Sequence, residues 1–447
     1  MSRCNTVKNR AGNQQMDSSL PNVYELAQRR LQFLFEAFDN IYVSFSGGKD
    51  SSVLLNLCID YIRRHGLDRK IGVFHMDYEI QYRDTVAHVD QVLASNADIL
   101  EVYRVCVPFK VPTCTSMFQP YWRPWEESKR ELWVREMPAG SYTGKDFPFF
   151  SAKMWDYEFQ SRFALWLHRR KRAGRTCCLI GIRTQESYNR WRSIYSDRNK
   201  HRFRGERWIR QCKADNICNA YPIYDWLTTD VWTANGKFGW AYNRLYDLFY
   251  QAGVPLENQR VASPFISPAI PSLSLYRAID PDTWGKMVSR VNGVNFAAHY
   301  GKSPVAGWQS VSLPKGLTWE KYMNFLLTTL PAETRRNYLE KLSVSIRFWR
   351  DKGGSLSDQT IARLQKAGIP IRIGEKSGYR TDKKPVRMEY LDDIDVPEFS
   401  QLPTFKRICI CILRNDHACK YMGFSPNKNE TLRRKKIMEK YESLLRS

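Results

Sequence analysis

Residues 41–52 read IYVSFSGGKDSS, and the fold turns on this passage. Ile41–Phe45 is a short β-prone run, and Val53, Leu54, Leu57 and Tyr61 follow at the spacing of one helix face. Between strand and helix, Gly47 and Gly48 let the backbone turn tightly and bring several N–H groups toward one point. The helix begins near Asp50 and adds the positive end of its dipole to the same concavity. Ser46, Ser51 and Ser52 supply hydroxyl donors and Lys49 a cation. The product is an anion cradle of phosphate size. It is not a Walker loop, because the G-x-x-x-x-G-K-S/T spacing is absent.

Outward from this passage, strands and helices alternate. A helix spans about 23–38, with Leu26, Leu31, Leu34, Phe35 and Phe38 at helical spacing. Ile71–Met76 reads as a second buried strand ending at Asp77. A helix at about 81–94 and a third strand at Leu100–Val105 come next, then a helix at 154–172, a fourth strand at 176–182 and a shorter one near Ala220–Tyr224. This alternation predicts an α/β fold, a parallel sheet flanked by helices. Residues 107–150 break the pattern with six prolines and with Trp122, Trp125 and Trp133, and read as an insertion, a wall or lid. After Trp240 helical segments separated by Gly and Pro dominate, to a last one at 429–445. The organisation is therefore a polar leader at 1–20, a nucleotide-binding domain at 21–240 and a mainly α domain at 241–447.

SGGKDS matches the pyrophosphate loop of the PP-loop ATP pyrophosphatases, and three further motifs in order resemble the phosphoadenosine phosphosulfate reductase branch. Asp77 stands where that branch carries Asp-Thr-Gly, here followed by Tyr78-Glu79. Gly181-Ile182-Arg183-Thr184-Gln185-Glu186-Ser187 with Arg190 resembles its G-x-R-x-x-E-S-x-x-R segment. Residues 221–226, YPIYDW, with Asp230-Val231-Trp232 resemble its Y-P-L-x-D-W…D-V-W stretch. The second half is similar to the C-terminal domain of IbrA-type proteins, named as regulators of immunoglobulin-binding protein expression and associated with a ParB-like companion.

The resemblance implies an adenine-nucleotide α-hydrolase-like sheet that cleaves ATP between the α and β phosphates and adenylates a substrate. Ser46, Gly47, Gly48, Lys49, Asp50, Ser51, Ser52, Asp77 and Gly181 would then bind ATP and pyrophosphate. Lys49, Asp50 and Arg183 would carry catalysis, and Arg183, Glu186 and Arg190 would meet the substrate anion. Mg²⁺ would take Asp50 or Asp77 as its hard oxygen ligand. The acceptor lies in sulfur transfer or nucleic-acid modification. Two other readings stand beside this one. One is a nucleic-acid-binding regulator with a sensing or degenerate nucleotide site, and the other is a reductase with an atypical thiol. The second is disfavoured, because the family's Glu-Cys-Gly nucleophile is missing from the closing residues YESLLRS.

Of the 11 cysteines, Cys177-Cys178, Cys212 and Cys218 could be set against an iron–sulfur cluster, but no C-x-x-C occurs and small core residues are the better reading. Cys409, Cys411, His417 and Cys419 fall in a helical stretch that would point Cys409 and Cys411 apart, against a zinc site. The odd count fits reduced thiols, and with no apolar run of membrane length and no secretory leader the expected setting is the cytoplasm, away from membranes.

The net charge is +23. Residues 169–213 carry 15 Lys/Arg against 3 Asp/Glu, a net of +12, with Trp191, Tyr195, Phe203 and Trp208 interleaved. That exceeds what one ATP needs and points to DNA or RNA as a partner.

Overall fold

The computed structural model describes residues 21–195, 201–212, 216–256, 259–261, 263–300, 311, 313–374 and 383–424. The expected leader at 1–20 and the helix at 429–445 lie outside the described residues. In chain order the strands are β1 (Asn40–Ser44), β2 (Ile71–Met76), β3 (Leu100–Val105), β4 (Val111–Pro112), β5 (Tyr121–Trp122), β6 (Thr176–Ile180), β7 (Ile209–Gln211), β8 (Ile217–Ala220), β9 (Gly354–Leu356), β10 (Ile371–Ile373) and β11 (Lys384–Met388). The helices are α1 (Val23–Ala37), α2 (Lys49–Arg64), α3 (Arg83–Ser95), α4 (Asp156–Arg170), α5 (Tyr188–Tyr195), α6 (Thr228–Phe238), α7 (Leu245–Gln251), α8 (Leu275–Ile279), α9 (Pro281–Arg290), α10 (Val294–Tyr300), α11 (Trp319–Thr328), α12 (Ala332–Arg347), α13 (Asp358–Lys366) and α14 (Phe405–Leu413).

The chain divides into two units, each interrupted in sequence. The first comprises Met1–Phe74, Val92–Val102 and Leu167–Tyr242, the second His75–Gln91, Tyr103–Trp166 and Asn243–Ser447. The stretch 107–150 thus belongs to the second unit.

The main sheet has the order β3-β2-β1-β6-β8-β7. β1 runs parallel to β2 and to β6, and β6 parallel to β8, so the sheet is α/β in character; β7 closes the edge antiparallel. Central strands of such a sheet are covered on both faces and read as continuous apolar runs, as Ile41-Tyr42-Val43 and the wholly buried β2 do. Gly72 on β2 faces Tyr42 on β1 so closely that a Cβ there would lie 2.7 Å from the Tyr42 Cβ.

Helix α1 starts with a capping box in which Asn22 accepts from the Glu25 N–H and Glu25 from that of Asn22. Its buried stripe is Ala27, Leu31, Leu34 and Ala37. Arg30 reaches out from this helix to both oxygens of Asp225, at 2.8 and 2.6 Å, and to the Pro222 carbonyl at 2.7 Å. The Trp226 indole N–H donates to the Val23 carbonyl. The YPIYDW segment therefore serves as a clamp on α1: Asp225 takes an arginine and Trp226 fills the core.

In the second unit, β4 pairs with β5 as a short hairpin, and Phe147, Phe159, Phe163, Trp166, Tyr103 and Tyr142 interlock edge to face beside it. Two further cores follow. One gathers Trp319, Met323, Tyr338 and Leu342 with Ile408, Cys409, Cys411 and Ile412 from α14. The other gathers Trp349, Leu356, Ile361, Leu364 and Val386 around an antiparallel sheet of order β10-β11-β9. Helices prevail here as expected of a mainly α domain, and this small sheet is an addition to them. Its strands are three to five residues long and rich in Arg, Lys and Pro, too short to show a period of two.

Gly72→Ala is expected to lower unfolding stability in urea by about 1–3 kcal/mol, the cost of overpacking between paired strands. Gly236→Ala, on α6 with open space around it, is the contrasting substitution and should leave stability unchanged or raise it by up to about 1 kcal/mol.

Candidate functional site

The residues predicted for the loop lie together between β1 and α2. Gly47 has φ +74°, the left-handed turn that the glycine pair was expected to supply. Gly48 is the N-cap of α2 and, having no side chain, leaves the first-turn amides without a side-chain cap. The serines do different work. Ser51 turns inward: its hydroxyl donates to the Gly48 carbonyl at 3.0 Å, accepts from the Ser46 N–H at 3.2 Å and meets the Ser46 hydroxyl at 3.0 Å. The Gly48 N–H donates to Ser46 Oγ. Ser46 itself is exposed, whereas Ser52 is buried. The loop is thus braced internally before any anion arrives.

A second segment fixes the first turn of α2. Gly181, at the end of β6, lies against it so tightly that a Cβ would sit 2.9 Å from the Asp50 carbonyl and 3.1 Å from the Ser51 nitrogen. The glycine of the G-x-R segment is therefore required by close approach to backbone that cannot give way. Two residues on, Arg183 is 1% exposed and donates from Nε to Asp50 Oδ1 at 2.6 Å. Its Nη1 donates to Gln185 Oε1 at 3.2 Å and to the Trp226 carbonyl at 3.4 Å. Lys49, also buried, lies 3.4 Å from Asp50 Oδ2. Asp50 is accordingly bracketed by two cations. Glu186 pairs with Arg190 one turn along and lies 3.8 Å from Arg183. Arg190 is the more exposed partner, and Arg183 the more enclosed.

Asp77 belongs to the second unit and is wholly buried there. Oδ1 accepts from Arg135 and from the Glu79 N–H, and Oδ2 from Arg104 Nε at 3.1 Å. Burial raises its pKa, but the charge and hydrogen bond of Arg135, helped by His75 and Arg104, outweigh this and hold the carboxyl below its usual range. Both oxygens are occupied, which bears on the expected Mg²⁺ role.

Glu79 stands where the resemblance has a glycine, and it keeps a glycine's conformation, with φ +66°. What holds it is a full set of donors: the N–H groups of Trp125 at 2.7 Å and Val134 at 3.2 Å, and Arg290 at 2.9 and 3.1 Å. None of Arg104, Arg135 or Arg290 was singled out from the sequence, since each meets its acid across 27 to 211 residues of chain. Nearby in the same unit, the Tyr78 hydroxyl donates to Asp156 at 3.2 Å, and burial pushes the Asp156 carboxyl up to about 6.

Cys58, Cys177, Cys178 and Cys218 of the first unit are core residues, and Cys212 is half-buried. Cys177 on β6 is in register with Cys218 on β8, and burial pushes Cys178 and Cys218 up to about 12, away from thiolate. Cys409 and Cys411 lie in the α14 core, and His417 meets the Ser116 carbonyl. Among the described residues no group of three or more His, Cys, Asp or Glu is placed to hold a metal ion. Among them, too, no helix is long and apolar enough to cross a membrane.

Residues 40–131 match the phosphoadenosine phosphosulfate reductase domain, and residues 253–433 match DUF3440, a domain of unknown function. The first match takes in the whole loop and Asp77. The uncharacterized protein YbdN of Escherichia coli (strain K12) is 31% identical over 418 residues, covering 92% of this chain and 93% of that one. Among solved structures, phosphoadenylyl-sulfate reductase from Candida auris in a phosphate complex is similar over 53% of this chain and 87% of its own, at 15% identity and TM-score 0.30. The U34-tRNA thiolase NcsA from Methanococcus maripaludis, with its [4Fe-4S] cluster, is similar over 66% and 82%, at 11% identity and TM-score 0.30.

Arg135→Ala is expected to cost about 3–5 kcal/mol, because it strips one partner from a buried carboxylate. The pH dependence has a definite sign. A carboxyl depressed in the folded state contributes stability above the unfolded value of about 3.9, and loses it as pH falls through the folded value. The acid-unfolding midpoint of Arg135→Ala, followed by circular dichroism, should therefore move to higher pH than that of the parent.

Proposed function

Given that the chain belongs to the family of the Escherichia coli protein YbdN and carries a phosphoadenosine phosphosulfate reductase domain at its loop, we propose that it is a PP-loop enzyme. It cleaves ATP between the α and β phosphates and adenylates an acceptor. The observation that carries this reading is the α2 N-terminus, which lacks a side-chain cap, follows a left-handed glycine and is wedged by Gly181. Such a terminus offers N–H groups and a positive dipole end to an anion. In this reading an acceptor atom attacks the α-phosphorus and the bond to the bridging oxygen breaks. The electron pair leaves on pyrophosphate, over Ser46–Ser52 and Lys49, which offset the growing charge.

Ser51 acts here by shaping the loop, and Ser46, the exposed serine, turns its hydroxyl proton from Ser51 to phosphate when the anion binds. Mg²⁺ would supply charge neutralisation between the phosphates. A single carboxylate suffices for that ion when phosphate oxygens and waters complete its shell. We assign it to Asp50, which stands in the loop itself: Arg183 holds Oδ1, and Oδ2, 3.4 Å from Lys49, is the oxygen left for the ion, whereas Asp77 carries close donors on both oxygens. Arg183 acts through Asp50, holding it in place from 2.6 Å, and Arg190, the more exposed cation, faces the acceptor's negative charge together with Glu186. Sulfur transfer and nucleic-acid modification are the acceptor chemistries in view, and the setting we propose is the cytoplasm.

Calorimetry with Mg·ATP, joined to measurement of AMP and pyrophosphate with candidate acceptors, tests the reading. Lys49→Ala and Gly181→Ala should each weaken nucleotide binding by about tenfold or more. Absence of ATP binding by the parent chain, or equal binding by both variants, would remove it.

A further inference from the structure

Of Trp191, Tyr195, Phe203 and Trp208 in the basic stretch, two turn inward. Phe203 packs on Phe38 with ring centres 4.8 Å apart, and Trp208 is 5% exposed beside Phe33. The other two stay at the surface. Trp191 is 46% and Tyr195 36% exposed, although burial of two such rings one turn apart on α5 would be the favourable course for a structural pair. Instead they stack on each other, 5.3 Å apart and 19° from parallel.

This exposed stack is continued by charge. The Arg207 guanidinium lies 5.2 Å over the Tyr195 ring, Tyr195 meets Tyr224 edge-on at 6.5 Å, and Arg30 lies 4.6 Å over Tyr224. Beside Tyr224 opens a cleft of about 500 Å³ whose walls include Arg29, Arg30, Phe33, Glu206 and Arg207. The acids near it are engaged: Asp225 takes Arg30 on both oxygens, and Glu206 Oε2 accepts from the Trp208 indole at 2.6 Å. Arg29, Arg204 and Arg207 are exposed, and all of these residues belong to the first unit.

We propose that this surface binds single-stranded RNA, its bases stacking on Trp191 and Tyr195 and its phosphates running past Arg207 into the Arg29–Arg30 cleft. Planar rings at the surface interleaved with guanidinium groups suit a flexible polyanion with exposed bases. A duplex hides those faces. Glu206 sets the choice of sugar, for a carboxylate in this arginine-lined wall, with Oε2 held by the Trp208 indole, repels phosphate while its Oε1 accepts from a 2′-hydroxyl, which DNA lacks. The surface shares no residue with the phosphate loop, and neither reading depends on the other.

Fluorescence anisotropy with a short labelled single-stranded RNA of mixed sequence tests it on the full chain. The same sequence as single-stranded DNA and as RNA duplex should bind more weakly. The Trp191→Ala, Tyr195→Ala double variant should bind RNA about tenfold or more weakly, from loss of stacking. Arg207→Ala should lower the slope of log K against log salt by about 0.7. Thermal unfolding and Mg·ATP binding of these surface variants should match the parent, which separates a lost RNA site from a damaged fold. No RNA binding, parent-like binding by the double variant, or DNA bound as tightly as RNA would each overturn the proposal.

Discussion

The close approach of Gly181 to the backbone of Asp50 and Ser51 is the constraint that organises the first unit. It joins the end of one parallel strand to the first turn of the helix that follows another, at the end of the sheet where strands give way to loops. Any side chain at position 181 would drive that turn away. With it would go the Arg183–Asp50 pair, whose 2.6 Å contact depends on both segments holding their places. The loop's own bracing, Ser51 to Gly48 and Ser46, then sets the shape of a cradle already aimed from below.

The second unit is held by a different device. Asp77 and Glu79, two residues apart and both fully buried, draw in Arg104, Arg135 and Arg290 and the backbone of Trp125 and Val134. Carboxyl groups so deeply buried survive only with complete sets of donors. Here the donors come from β3, from the Trp-rich stretch and from α9, so one pair of carboxylates ties together three segments distant in sequence. The left-handed backbone at Glu79 is sustained by the same contacts.

Much of this was legible in the sequence where a local rule governed it. Apolar runs at 41–45 and 71–76 marked two strands because buried parallel strands have no polar face to hide, and 100–105 read as a third from its place in the alternation. The glycine pair and its flanking serines marked the loop, because few other residues permit such a turn. Gly181 was legible as a position of close approach, though not what it approaches. The pairing of Arg183 with Asp50, at a separation of 133 residues, was not legible. Asp225 and Trp226 were visible as a motif, but their role as a clamp on α1 rests on Arg30, 195 residues away from Asp225. The small sheet of β9, β10 and β11 escaped because its strands are shorter than any period can reveal. The basic stretch was legible as charge with aromatics between; only the fold buries Trp208, packs Phe203 on Phe38 and leaves Trp191 and Tyr195 exposed.

Selective labelling of the glycines with nitrogen-15, followed by titration with Mg²⁺ and inorganic pyrophosphate, tests the central claim most directly. The account predicts that the amide signals of Gly47 and Gly48 shift strongly and saturate together, with Gly181 following and Gly66, beyond the far end of α2, unmoved. Saturating pyrophosphate that leaves the Gly47 and Gly48 signals where they were would contradict it.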